Sequence, residues 1–273
     1  VIAAIDSLKI IDPACGSGAF PMGVLHKLVF LLGKLDPHNE RWKQRQLDKA
    51  AEIPDAAARA AAERAIENVF AHNFNDYGRK LYLIQNCIYG VDIQPIAVQI
   101  AKLRCFIALI VDQKEDARLA NRGILALPNL ETKFVAANTL VKIDRPAQMA
   151  FRSPQVEKLE KQLADVRKRH FEARSKETKE KYRREDKQLR EQLAALLEED
   201  GWQKSTADQL ARWDPYDQNT HAPFFDPEWM FGITDGFDIV IGNPPYVRQE
   251  KIRDQKPLLQ RQYTCYTGTA DLY

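Results

Sequence analysis

Little in this chain suits metal or disulfide chemistry. Cysteine occurs only at Cys15, Cys87, Cys105 and Cys265, with no CxxC pair among them. Zinc sites and disulfide frameworks need closer, regular spacings, so these read as reduced thiols of a cytoplasmic protein. His26, His38, His72, His170 and His221 form no ligand-spaced cluster and read as surface or boundary residues. Asp214, Asp217 and Asp226 share a loop at a spacing too unspecific to mark a metal site. These residues read as carrying neither a cleavable leader nor an apolar run long enough to span a bilayer, so no membrane partner is expected. An excess of one charge is lacking too. The 40 basic and 38 acidic residues leave a formal net charge of +2, which neither demands nor excludes nucleic acid, because a basic face fits inside a near-neutral total. Apolar residues are plentiful, at 45% of 273, enough to bury a core in one large domain or two small ones.

Four short apolar runs punctuate the chain: Leu8–Asp12, Cys87–Asp92, Lys133–Ala136 and Phe237–Gly242. After the first, Pro13–Gly18 is a turn of small residues, and Ala19–Gly33 has the 3.6-residue period of a helix, with Phe20, Val24, Leu25 and Leu28 on one side. After the second, Pro95–Val111 predicts a helix whose proline suits the first turn. Strand, glycine-bearing turn and helix in that order predict an α/β fold of the doubly wound kind. Two stretches interrupt it. Residues 35–82 are polar and alanine-rich and read as a helical insertion with a break near Pro54. Residues 154–200 alternate Lys, Arg, Glu and Gln around two thin stripes, Leu159, Leu163, Val166 and Leu189, Leu193, Leu196, Leu197. They predict a charged helical arm, one long helix or a hairpin, projecting from the core with a solvated face. The sharper alternative is an arm that touches a DNA backbone or a partner through Arg167-Lys168-Arg169 and Arg183-Arg184. Trp202, Trp213 and Trp229 are expected to pack the linker that enters the fourth strand.

The chemistry concentrates at strand ends. Asp12-Pro13-Ala14-Cys15-Gly16-Ser17-Gly18-Ala19-Phe20 lies past the carboxyl end of the first strand, where open α/β sheets bind ligands. Gly16 and Gly18 let the backbone approach a ligand and adopt positive φ. Asp92 ends the second strand, at the position that grips the ribose hydroxyls of a nucleoside cofactor. It stands 80 residues after Asp12 rather than the usual ~20; the insertion accounts for the difference. A nicotinamide cofactor stays open on this evidence, although Phe20 and Pro21 replace the third glycine of its fingerprint. Asn243-Pro244-Pro245-Tyr246 follows the fourth strand directly. Two prolines cannot continue a ladder, so the chain leaves the sheet there. It offers an amide, a carbonyl and an aromatic face, a receptor for a flat molecule bearing an amino group.

Together these motifs resemble the adenine-specific DNA methyltransferases that make N6-methyladenine from S-adenosylmethionine, in the order with the cofactor motif first. In particular they are similar to the large methylases of type II restriction–modification and related phage-defence systems. The closing Thr269-Ala270-Asp271-Leu272-Tyr273 shares the resemblance; residues 154–200 do not. The resemblance implies a Rossmann-like sheet with helical insertions, making residues 1–273 a fragment of the catalytic domain without its target-recognition domain or the N-terminal segment that completes the cofactor pocket. Asp12, Ala14, Cys15 and Gly16 would line the amino-acid end of S-adenosylmethionine. Asp92 would hold its ribose, Ile93 would pack beside its adenine, and Asn138, often Asp in the family, would meet the adenine edge. Asn243 and the Pro244 carbonyl would accept hydrogen bonds from the target amino group, with Pro245 fixing the turn's path, and Tyr246 would stack on the base. The implied partner is double-stranded DNA with a flipped adenine, alongside a restriction or specificity domain in the full-length protein. Competing expectations are methylation of RNA or of protein glutamine, and a non-catalytic DNA-binding scaffold.

Overall fold

Residues Ile10–Asp12, all three buried, form the inner strand β1. In the computed structural model, which describes residues 1–53, 55–71, 75–113, 115, 117–118, 120–146 and 153–267, β1 pairs in parallel with β2 (Ile88–Asp92) on one side and β4 (Ile239–Val240) on the other. Strand β3 (Phe134–Ala136) pairs in parallel with β2, giving the order β3-β2-β1-β4. All four expected strands are present, each trimmed. The fourth shortens most, because its ladder ends two residues before Gly242-Asn243-Pro244-Pro245 leaves the sheet. Pro54 and Thr269–Tyr273 lie outside the described residues.

The two-residue period of the strands divides the molecule into two cores. Ile10, Ile88 and Phe134 point to one face and pack with Leu25, Leu83, Ile84 and Leu109. The helices there are α1 (Ile2–Ser7), α2 (Ala19–Leu35), α5 (Asn75–Asn86) and α6 (Pro95–Ile110). Leu25, Leu83, Ile84 and Leu109 are fully enclosed, each contributing about 1.5–3 kcal/mol of transfer free energy. Gly90 sits on this face because nothing larger fits: a Cβ there would fall 2.5 Å from the Phe134 ring and 3.2 Å from Cys15 Sγ. Helix α6 buries small residues (Val98, Ala101, Cys105, Ala108) toward the sheet and leaves Ile96, Ile100, Leu103, Ile107 and Ile110 exposed.

The stretch read as one insertion divides in two. Helices α3 (Glu40–Ala51) and α4 (Ala56–Ala71) pack on each other, whereas α5 places Tyr77, Leu83 and Ile84 in the core. Helix α3 is tied down by the buried Asp6, which accepts from Gln46 at 2.9 Å and pairs with Arg45 and Lys49. Burial raises the Asp6 pKa, but bonds from Lys49, Tyr82 and Gln46 outweigh it and leave it below the ordinary value.

The charged stretch departs from expectation. It forms a hairpin of α7 (Pro154–Glu172) and α8 (Lys176–Glu199), each started by a serine whose side chain accepts from the backbone three residues on. The hairpin does not project. With α9 (Lys204–Arg212) and α10 (Pro227–Phe231) it covers the second sheet face, packing Val156, Leu163, Val166, Leu193 and Leu197 with Ile11, Tyr89, Val91 and Val135. Trp202, Trp213 and Trp229 are buried in the same core. The hairpin's outer face is solvated as expected, with Lys158, Lys161, Lys181 and Lys187 exposed, but a few of its charges are paired inward. Asp186, with no exposure, lies between Arg167 Nε at 2.8 Å and Arg190 Nε at 2.6 Å. Burial would raise the Asp186 pKa, and the two guanidinium groups override it and lower it. Arg190 also donates to the Ala211 and Trp213 carbonyls, and Arg167 to that of Trp229 at 2.5 Å. Arg169 pairs with Asp165 and Glu185, and Arg183 with Glu131. Of the five cations singled out, Lys168 and Arg184 stay exposed.

Candidate functional site

Strand order β3-β2-β1-β4 places a topological switch point between β1 and β4: the chain steps from β1 to β2 to β3, then returns to the far side of β1. Ligands of open α/β sheets bind outside the carboxyl ends of the strands at such a point. Asp12, Asp92, Asn138 and Asn243 all lie at or just past that pole.

The turn after β1 is fixed by backbone bonds. Cys15 N–H donates to Val91 O at 2.8 Å and Gly18 N–H to Cys15 O at 2.8 Å. Gly16 and Gly18 have φ of +51° and +83°, the left-handed region that favours glycine. A Cβ at Gly18 would fall 2.9 Å from Ala101 Cβ, so the turn also lets α2 and α6 approach. At Gly16 a Cβ would meet nothing within 4 Å; the turn faces open space there.

Asp92 bridges the turn to its own strand. One oxygen accepts from Gly16 N–H at 2.9 Å, the other from Gln94 N–H at 2.8 Å, and each keeps a second acceptor site. Asp12 is 2% exposed. Its Oδ1 accepts from Ala14 N–H at 3.1 Å, and its Oδ2 is buried with no partner among the described residues. Burial, helped by the nearby Asp92 charge and opposed by the Ala14 bond, pushes the Asp12 pKa up to about 6. The Cys15 thiol is buried and its pKa is raised by the same desolvation, with Asp12 and Asp92 adding to it. It is an inert wall, not a nucleophile. Ile93, next to Asp92, is 48% exposed.

Past β3, Ala137 pairs in parallel with Ala222, and Asn138 N–H donates to Ala222 O at 2.9 Å. The Asn138 amide oxygen accepts from Leu140 N–H at 3.1 Å. Past β4, Asn243 and Pro245 are exposed, Pro244 is half-buried, and Tyr246 is 76% exposed. Two residues outside the sequence motifs join these parts. Thr139 Oγ1 donates to Pro13 O at 3.1 Å, tying the loop after β3 to the turn after β1. Gly242 lies against Asp12: a Cβ there would fall 2.5 Å from Asp12 Oδ1. Its position immediately before Asn243 is the only signal the sequence offers for it. Two cavities, of about 340 and 400 Å³, are lined by residues other than Asp12, Asp92, Asn138 and Asn243.

Residues 86–273 match the model of the Eco57I restriction-modification methylase family. The chain belongs to that family. The match begins just before β2 and includes Asp92, Asn138 and the Asn243–Tyr246 exit; the turn after β1 lies ahead of it. A curated protein of Methanocaldococcus jannaschii, named as a putative type II restriction enzyme and methyltransferase, is 31% identical over 137 residues, which are 50% of this chain and 9% of that one. The matched part is thus a small portion of that relative. No solved structure matches the chain. This is a DNA methyltransferase family of restriction-modification systems, and the parallel α/β sheet suits it. No helix among the described residues is long and apolar enough to cross a membrane.

Proposed function

We propose that residues 1–273 form a Rossmann-like catalytic domain that transfers a methyl group from S-adenosylmethionine to the N6 amino group of adenine in DNA. It would act within a larger restriction–modification protein that supplies site recognition. The observation that carries this reading is the junction of Asp12 and Asn243 across the switch point. The acid of the first strand and the amide after the fourth stand on neighbouring strands, with Gly242 leaving room between them.

The residues present fit the cofactor. Asp12 keeps a buried carboxylate oxygen without a donor, a place for an ammonium group. Around Gly16 the turn after Ala14 and Cys15 has open space, since a Cβ there would meet nothing within 4 Å. The free acceptor sites of Asp92 suit ribose hydroxyls, and exposed Ile93 offers an apolar face for an adenine ring. The bound cofactor supplies a methyl group already activated by its sulfonium charge. The protein's part is then placement of the acceptor. Asn243 Oδ1 and the Pro244 carbonyl accept the two N–H bonds of an amino group, which favours a pyramidal nitrogen with an available lone pair. Pro245 holds the carbonyl outward by denying the chain a ladder bond. Tyr246 stacks on the base and offsets part of the cost of drawing it from the duplex.

The test is methyl incorporation into duplex DNA by the full-length protein, with the product nucleoside identified by mass spectrometry and cofactor affinity measured by calorimetry. Asn243→Ala and Tyr246→Ala should lose about 10²-fold or more of turnover, the scale of placement errors at a reacting group, while binding S-adenosylmethionine normally. Asp92→Ala should lose cofactor binding. Near-normal turnover by Asn243→Ala, or methyl groups found on RNA or glutamine in place of adenine, would overturn the reading.

A further inference from the structure

The chain that leaves β4 folds back across the pole. From Val247 it runs through a 3₁₀ turn, Gln249–Gln255, into α11 (Lys256–Gln262). Its far end is tied down beside β3. Tyr263 Oη donates to Leu140 O at 3.2 Å, Lys142 N–H donates to Gln262 Oε1 at 3.1 Å, and Gln262 Nε2 donates back to Lys142 O at 3.1 Å. The Lys142 ammonium sits 4.3 Å above the Tyr263 ring. The segment is therefore a strap from the exit of β4 to the loop after β3, across three strand spacings or about 14 Å. Ile252 and Leu259, each 5% exposed, anchor it inward.

Its outer side is basic. Between residues 248 and 261 there are five cations, Arg248, Lys251, Arg253, Lys256 and Arg261, against two carboxylates, Glu250 and Asp254. The excess on this one strap is larger than the net charge of the whole chain, +2. Arg261 lies 3.7 Å from Asp144. Arg248, Lys251 and Arg253 are exposed and have no ion-pair partner among the described residues. Arg167 and Arg190 of the hairpin, buried against Asp186, cannot compete with them for an external anion.

We propose that Arg248, Lys251 and Arg253 form a rail for DNA phosphates. The rail holds the duplex against the pole so that a base leaving the stack meets Tyr246, which begins the strap. This deepens the reading of the site given above and rests on it. Phosphate contacts of this kind fix register without reading sequence, and guanidinium groups suit them by their forked geometry.

The experiment is binding of the full-length protein to a fluorescent duplex of about 20 base pairs, from about 50 to 200 mM salt. Each phosphate contact adds about 0.9 to the slope of log K against log salt. The triple variant Arg248→Gln, Lys251→Gln, Arg253→Gln should lower that slope by about 2 to 3, with cofactor affinity unchanged. The charge-keeping variant Arg248→Lys, Lys251→Arg, Arg253→Lys should retain it. Lys161→Gln, Lys168→Gln and Arg184→Gln on the hairpin should leave it as it was. An unchanged slope in the strap variant, or a slope lost only in the hairpin variant, overturns the rail. If the protein still methylates adenine in DNA, the proposed function survives that result. A protein that neither binds DNA nor transfers methyl groups refutes both.

Discussion

Replacing Asp12 with asparagine should stabilise the protein, although Asp12 stands at the centre of the site. The carboxyl is buried, one oxygen has no donor, and its pKa rises from 3.8 to about 6. Below pH 3.8 it is neutral in both the folded and the unfolded chain. Between 3.8 and about 6 the folded protein holds a proton that the unfolded chain has released, so stability falls as pH rises. Above about 6 the loss is complete. A shift of about 2 pH units corresponds to about 3 kcal/mol. Asparagine has nearly the same shape, keeps the bond from Ala14 N–H and carries no charge, so the Asp12→Asn variant escapes the penalty. Denaturant unfolding of both proteins from about pH 4 to 8 isolates this one group, because the other carboxylates cancel in the difference. The variant should be more stable by about 2–3 kcal/mol near neutral pH. That advantage should shrink toward acid pH, with the change centred between 3.8 and about 6. S-adenosylmethionine should stabilise the wild type and leave the variant unaffected. A difference that does not vary with pH, or a variant less stable near neutral pH, would refute the argument.

Two further predictions concern the frame of the site. Asp186→Ala leaves the buried Arg167 and Arg190 without their shared carboxylate and should cost about 3–5 kcal/mol in denaturant unfolding. Lys187→Ala, which removes an exposed partner of Glu191 at 3.9 Å, should cost less than about 0.5 kcal/mol. Gly18→Ala combines a φ of +83° with a Cβ 2.9 Å from Ala101 and should cost about 1–3 kcal/mol. Adding Ala101→Gly restores the space but not the backbone, so thermal unfolding should report only partial recovery.

The strand ends are legible because each combines an apolar run with a residue that cannot continue it: Asp12 before Pro13, Asp92 before Pro95, Gly242 before Asn243-Pro244-Pro245. Their parallel pairing follows from the helices between them. The hairpin misleads because interleaved charges look alike whether they meet water or each other. A finer pattern is present in the sequence. Asp186, Leu189, Arg190, Leu193 and Leu197 share one helical face, so the two charges stand in phase with the buried leucines and have to be paired. Helix α5 hides within the insertion because Asp76, Arg79 and Lys80 surround its buried Tyr77; Arg79 and Lys80 reach the Asp36 and Ala108 carbonyls instead of water. The contact of Gly242 with Asp12 joins residues 230 positions apart, and only the place of Gly242 before Asn243 hints at it.

The central strand also sets the order in which the site can come into being. Ile10 pairs with both Ile88 and Ile239, so β1 gains one neighbour after 78 residues and the other after 229. Chain entropy hardly separates the two closures: the longer loop costs only about 1 kcal/mol more. Synthesis time separates them strongly. At roughly 5–20 residues per second the ribosome needs about 10–30 s to travel from β2 to β4. The half that carries Asp12 and Asp92 can assemble early, with one edge of β1 open to any passing strand. The half that carries Asn243 closes that edge on arrival, so the nascent protein holds its two carboxylates before it holds the amide that completes the pole.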